Sequence, residues 1–142
     1  MLVDANLLIY AVDRSSPHHD RSRAWLTEVL DGDHRVGLPW QTLGAFLRIT
    51  THPRISARPL SAEQAWSCID GWLDLELTWI PEPGPGYGRI LRRLIHTAHP
   101  TGNLVPDAML AALAIEHGAA VCSADGDFAR FGDLTWFNPL RT

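Results

Sequence analysis

Ala119-Ala120-Val121-Cys122-Ser123-Ala124-Asp125-Gly126-Asp127 runs a short apolar stretch into two closely spaced carboxylates, and the chain opens the same way with Met1-Leu2-Val3-Asp4. Each stretch has the length and composition of a buried strand that hands over to an acid at its carboxyl end. Three similar runs, at residues 35–38, 77–80 and 134–137, complete a set of strands with 1–3 and 119–122. Helical periodicity fills the intervals at 7–12, 21–30 (Trp25, Leu26 and Val29 on one face), about 40–50, from Ser61 onward, 89–97 and 107–117. Ser61 and Gln64 form a capping-box pattern, and Gly118 stands where a helix stops. Strands alternating with helices predict an α/β fold with a mainly parallel sheet. Ligands in such sheets gather at the carboxyl ends of the strands, which is where the acids lie.

The 142 residues suit a single domain covering 1–142, and 46% apolar with 20% charged residues is an ordinary globular balance. No repeat or linker interrupts the chain; Pro81-Glu82-Pro83-Gly84-Pro85-Gly86 reads as a loop between structured stretches. Neither a signal peptide nor a membrane-length apolar run is visible, so the expected location is the cytoplasm, with Cys68 and Cys122 as reduced thiols. The net charge of −4 is not that of a typical nucleic-acid binder, and all 12 basic residues are arginines.

Asp107, Asp125 and Asp127 join Asp4 as the acids of interest. Asp107 is expected to open its helix, and it reaches the strand-end edge only if that helix is entered from the same side. Singly, each acid has an ordinary explanation: Asp107 as a helix cap, Asp125-Gly126-Asp127 as a turn. Together they differ. Two carboxylates about 4 Å apart repel by about 4 kcal/mol at an effective dielectric of about 20, so a group of them protonates or takes up a cation. Oxygen-only ligands select Mg²⁺ or Mn²⁺, and such a site suits in-line attack at a phosphate.

The stretches Leu2-Val3-Asp4-Ala5-Asn6-Leu7-Leu8-Ile9-Tyr10, Gly102-Asn103-Leu104-Val105-Pro106-Asp107-Ala108, Leu113-Ala114-Ile115-Glu116-His117-Gly118 and Ser123-Ala124-Asp125-Gly126-Asp127-Phe128 resemble a PIN domain. The likeness is specifically to VapC-type toxins of bacterial toxin–antitoxin pairs, one branch of which also resembles Arg48-Ile49-Thr50-Thr51-His52-Pro53-Arg54-Ile55. The resemblance implies a three-layer domain with a five-stranded, mainly parallel sheet flanked by helices. It implies a Mg²⁺- or Mn²⁺-dependent endoribonuclease, a homodimer and a small VapB-like antitoxin partner. By that likeness Asp4 and Asp107 are the principal metal ligands and Asp125 the later one, with Asp127 as neighbour or substitute. Ser123 would contact bound water or phosphate, or is a plain strand-end serine.

One departure stands out. The family usually carries a glutamate on the helix after the second strand, and here that helix reads Gln41-Thr42-Leu43-Gly44-Ala45-Phe46-Leu47-Arg48. The missing position aligns with Ala45, or with Gly44. Glu116 is a poor substitute, nine residues beyond Asp107 and about half a turn round the helix. Arg89, Arg92 and Arg93 form a basic run that would grip RNA phosphates or an acidic part of an antitoxin, unless they are a solvated face. The six tryptophans read as core or interface filler, Trp40 excepted. Two other functions compete. A phosphotransfer domain would want a lysine, and a phosphatase a second aspartate where Asn6 stands. A degenerate PIN fold that binds RNA or protein without cleaving is motivated by the missing glutamate.

Overall fold

The computed structural model describes residues 1–141. Strands β1 (Leu2–Val3), β2 (Val36–Gly37), β3 (Thr78–Trp79), β4 (Val121–Cys122) and β5 (Trp136–Phe137) form a sheet in the order β3-β2-β1-β4-β5. Every pairing is parallel. All the expected strands are present, each reduced to the two residues that hold ladder geometry. The chain winds outward from β1 through β2 to β3, then returns to lay β4 and β5 on the other side. The reversal falls between β1 and β4, and a crevice at their carboxyl ends is the expected ligand position.

Helices α1 (Ala5–Val12), α2 (His19–Leu30), α3 (Trp40–Thr50) and α4 (Ala62–Leu73) contribute to a core on one face. Helices α5 (Tyr87–Ala98) and α6 (Leu104–Glu116) build the other with a 3-10 helix, Gly126–Arg130. The two-residue period of a strand divides the layers: Val3 and Cys122 enter the first core, Leu2 and Val121 the second. Phe46 and Phe128, wholly or almost wholly buried, anchor the two sides, each contributing about 1.5–3 kcal/mol of apolar burial. α6 is rich in alanine on its buried faces, Ala108, Ala111, Ala112 and Ala114, which lets it sit close to the sheet.

Several boundaries differ from the sequence reading. α1 begins at Ala5 because Asp4 caps it, and α2 begins two residues earlier than periodicity suggested. α5 is longer at both ends and stops on His99, whose φ of 50° is left-handed. The important correction concerns Asp107: α6 starts at Leu104, so Asp107 sits in its fourth position and does not open it. Gly102 turns the chain at φ 57°, and Pro106 is tolerated in a first turn that needs no donor. Ser61 and Gln64 do form the capping box on α4. Among the described residues no helix is long and apolar enough to cross a membrane. Cys68 and Cys122 are free thiols, and burial pushes Cys122 up to about 12. None of the six tryptophans is fully buried; Trp40 and Trp66 are exposed and stack with centroids 6.3 Å apart.

Candidate active site

Asp4 leaves the end of β1 and caps α1, its Oδ1 accepting from the Ala5 amide at 2.8 Å. Its Oδ2 accepts from Ser123 Oγ at 2.7 Å and from Asn6 Nδ2 at 3.3 Å. Ser123, wholly buried just past β4, also accepts from Asn6 Nδ2 at 3.1 Å and from the Asp125 amide at 3.0 Å. Asn6 Oδ1 takes the Ala124 amide at 3.3 Å. Asn6 and Ser123 thus lace the ends of β1 and β4 together under the Asp4 carboxylate. The role of Asn6 escaped the sequence reading, where it served only to exclude a phosphatase. Its signal was the two-residue spacing from Asp4, on the first turn of a helix that Asp4 caps.

Asp125 accepts the Asp127 amide at 2.9 Å, so the expected turn opens the 3-10 helix. This brings Asp127 round beside it. Carboxylate oxygens of Asp107, Asp125 and Asp127 lie within 4.8 Å of one another. Asp4 is outside that grouping, yet its charge acts on Asp107 and Asp125 acts on it. Burial, followed by the charges of Asp4, Asp125 and Asp127, pushes Asp107 up to about 7, while Arg130 pulls the other way. Burial also raises Asp4, against the hydrogen bonds from Ser123 and Ala5. No donor among the described residues satisfies the Asp107 side chain, and the charges that act on this half-buried carboxyl are three carboxylates against one arginine. Such a donor set, oxygen-only and mutually repelling, fits a hard divalent cation.

Asp4 and Asp107 open onto a cleft of about 820 Å³, whose opposite wall is α3, including Trp40, Gly44, Ala45 and Arg48. Gln41 reaches across, its Nε2 donating to the Pro106 carbonyl at 2.6 Å, next to Asp107. Ala45 and Gly44 both line the cleft, and α3 brings no carboxylate to it. Glu116 is occupied elsewhere: its carboxylate accepts the Gly84 and Gly86 amides at 2.6 and 2.8 Å and pins the proline-glycine loop. Arg89, Arg92 and Arg93 lie on α5, away from the cleft lining, with Arg93 paired to Asp133 at 3.2 Å.

Comparison with known proteins places the chain among named relatives. The chain is 41% identical to ribonuclease VapC37 of Mycobacterium tuberculosis, over 97% of this chain and 96% of that protein. It is 38% identical to ribonuclease VapC33 of the same species, over 99% of both. Among solved structures, FitAcB from Neisseria gonorrhoeae superposes with a TM-score of 0.70 at 20% identity, covering 99% of both chains. VapBC2 from Rickettsia felis, bound to a DNA fragment of its promoter, gives 0.67 at 19%, covering 96% of both. At those identities the structural likeness speaks for the fold alone. The model of the PIN domain matches residues 1–134, and with acids gathered where β1 and β4 part, this chain belongs to the PIN-domain family.

Proposed function

We propose that the protein is a divalent-metal-dependent endoribonuclease, the toxin of a VapBC-like pair, working with Mg²⁺ or Mn²⁺. The observation that carries this reading is the meeting of Asp107, Asp125 and Asp127 oxygens within 4.8 Å, with a half-buried Asp4 close enough for its charge to act on Asp107. Relatives of near-identical length named as VapC ribonucleases support it. Asp4, Asp107 and Asp125 are the ion's proposed ligands, with Asp127 completing or exchanging with them. A divalent ion held there supplies Lewis acidity, neutralising phosphate charge and lowering the pKa of a water. The chain's own residues do the rest. Ser123 and Asn6 hold Asp4 in one rotamer, Ser123 from a wholly buried position beneath the site. Gln41 fixes the first turn of α6 and with it the position of Asp107. The cleft is wide enough for a flexible single strand to reach Asp4 and Asp107, and a cation held by the acids would offset their mutual repulsion and that of an approaching phosphate. Arg89 and Arg92, with Arg93 sharing its charge with Asp133, are proposed to hold phosphates or an acidic partner segment outside the cleft.

A homodimer and a small antitoxin with an arginine-bearing segment, suited to so acidic a cleft, complete the reading. The test is cleavage of a panel of RNAs by the purified protein with Mg²⁺, with Mn²⁺ and with chelator. Cleavage that needs the ion and disappears in Asp107→Asn supports the proposal; cleavage unaffected by chelator overturns it. The bare wall of α3 favours a second reading, a PIN fold that binds RNA or a protein without cutting. Metal-dependent RNA binding with no product in that panel is its signature.

A further inference from the structure

An acidic cleft in a protein of net charge −4 has to admit a polyanion, and the bound ion offsets only part of that charge. With no lysine in the chain, arginines must provide the remainder. Most are committed or remote. Arg21 donates to the Leu140 carbonyl at 2.9 Å, Arg93 pairs with Asp133, and Arg35 and Arg141 lie over Trp79 and Trp136 at 4.2 and 5.6 Å.

Two arginines differ. Arg48, exposed on α3, lines the cleft and has no ion-pair partner among the described residues. Arg130 ends the 3-10 helix, and its charge reaches Asp107. Its Nε donates to the Asp127 carbonyl at 3.2 Å, which steadies the stem. Its Nη2 also forms an ion pair with Asp127 Oδ1 at 3.6 Å, while Nη1 makes no hydrogen bond among the described residues, so the guanidinium keeps donors for a second anion. The topology sets the two apart. α3 follows β2 and the 3-10 helix follows β4, while β1 and Asp4 lie between those strands. One arginine therefore stands on each side of the acidic centre.

We propose that Arg48 and Arg130 grip the phosphates flanking the scissile one, so that a single RNA strand crosses the carboxyl edge of the sheet from α3 to the 3-10 helix. This rests on the ribonuclease reading and adds the strand's path. It makes both arginines substrate-positioning groups and leaves the ion's ligands to the aspartates.

The experiment measures binding of a fluorescein-labelled oligouridylate by anisotropy across a KCl series, with Ca²⁺ in place of Mg²⁺ so that the strand stays uncut. Arg48→Gln and Arg130→Gln should each weaken binding roughly tenfold, as expected for a lost charge-assisted hydrogen bond. Each should also lower the slope of log affinity against log salt by about 0.7, and the double variant by about twice that. Arg48→Lys and Arg130→Lys, which keep the charge, should keep the slope. Arg23→Gln, on α2, is the exposed control and should change nothing. Calorimetric Mg²⁺ affinity without RNA should not fall in either Gln variant, which separates a phosphate grip from a damaged metal site. Parent-like slopes in folded Arg48→Gln and Arg130→Gln, with the parent still cutting RNA under Mg²⁺, overturn the path and spare the ribonuclease reading. A parent that neither binds nor cuts RNA overturns both.

Discussion

Ser123 Oγ lies 2.7 Å from Asp4 Oδ2 and ties the carboxylate at the end of β1 to the end of β4. The two residues are 119 positions apart, and only the parallel pairing of β1 with β4 brings them together. The hydroxyl lowers the proton affinity of a carboxyl that burial raises. It thereby opposes the rise that burial imposes on Asp4. Ser123→Ala removes that donor and leaves Asn6 as the remaining side-chain partner. The Mg²⁺ midpoint for cleavage at pH 7 should rise several-fold, and the fold should lose about 1–3 kcal/mol through the broken buried network. Titration of cleavage against Mg²⁺, with urea denaturation of the metal-free protein, checks both. An unmoved midpoint would reduce Ser123 to a structural tie.

Asp107 gives the metal-free protein a defined pH dependence. Its ordinary value is 3.8 and the folded site holds it at about 7, so between those limits the folded state binds a proton that the unfolded state has released. Stability contributed by that proton is complete below the lower value and is lost as pH rises through the upper one. Asp4, raised in the same direction, adds to the trend. Metal-free Tm should therefore decline from mildly acid to neutral pH. Asp107→Asn should flatten this decline and exceed the parent's Tm at pH 8. Saturating Mg²⁺ should reverse the parent's trend, because the ion competes with the proton. Thermal scans with and without chelator decide it; a metal-free parent that gains stability up to pH 8 contradicts the site's electrostatics.

Asp4→Asn and Asp107→Asn each preserve shape while removing a charge from the centre. Cleavage should fall at least a hundredfold, roughly what loss of a few kcal/mol of transition-state stabilisation produces. Circular dichroism should remain that of the parent. Full Mg²⁺-dependent activity in either purified variant would remove that residue from the ligand set.

The sheet was legible because a buried parallel strand leaves an apolar run even when, as here, only two residues complete each ladder. The acids at the ends of β1 and β4 were legible because strand-end position is a local property of the sequence. Contacts across the cleft were not. Gln41 bonds to the Pro106 carbonyl 65 residues away, and a glutamine on an amphipathic helix carries no local mark of that partner. The start of α6 was also obscured. Pro106 looks like a barrier before Asp107, but in the first turn it costs no hydrogen bond, so the helix begins earlier and carries Asp107 on its flank. The run of Arg89, Arg92 and Arg93 was conspicuous in sequence, whereas Arg48, which lines the cleft, and Arg130, whose charge acts on Asp107, stand alone in theirs.

Glu116 has a separate duty that can be measured. Both of its carboxylate oxygens hold backbone amides of the 81–86 loop, and a Cβ placed on Gly84 would come within 2.9 Å of Oε2. Glu116→Ala should cost about 1–3 kcal/mol by orphaning those amides. Gly84→Ala should be destabilised in the same direction through the close approach. Neither should alter the Mg²⁺ midpoint of cleavage. Loss of metal affinity in Glu116→Ala at full folding would instead bring Glu116 into the site.

The wall of α3 offers the sharpest trial of how far this chain departs from its family's pattern. Ala45 presents a methyl group to the cleft where the resemblance places a glutamate, and Gly44 beside it presents nothing. A Cβ on Gly44 would meet no atom within 4 Å, so both positions have room for a longer side chain to begin. Replacing glycine within a helix should itself stabilise by about 0.5–1 kcal/mol, so Gly44→Glu is not expected to fail through misfolding. Both positions line the cleft but differ by about 100° around the helix, so a carboxylate at one leaves in a different direction from a carboxylate at the other. Ala45→Glu should add an oxygen ligand, tighten Mg²⁺ binding by severalfold and raise cleavage at limiting metal. It should also steepen the metal-free decline in stability with pH, because a further like charge joins Asp107. Gly44→Glu should leave the midpoint near that of the parent. The reverse pattern moves the alignment by one residue. Equal midpoints in all three proteins mean that water completes the ion's shell as well as a carboxylate would, and the bare helix is then no defect.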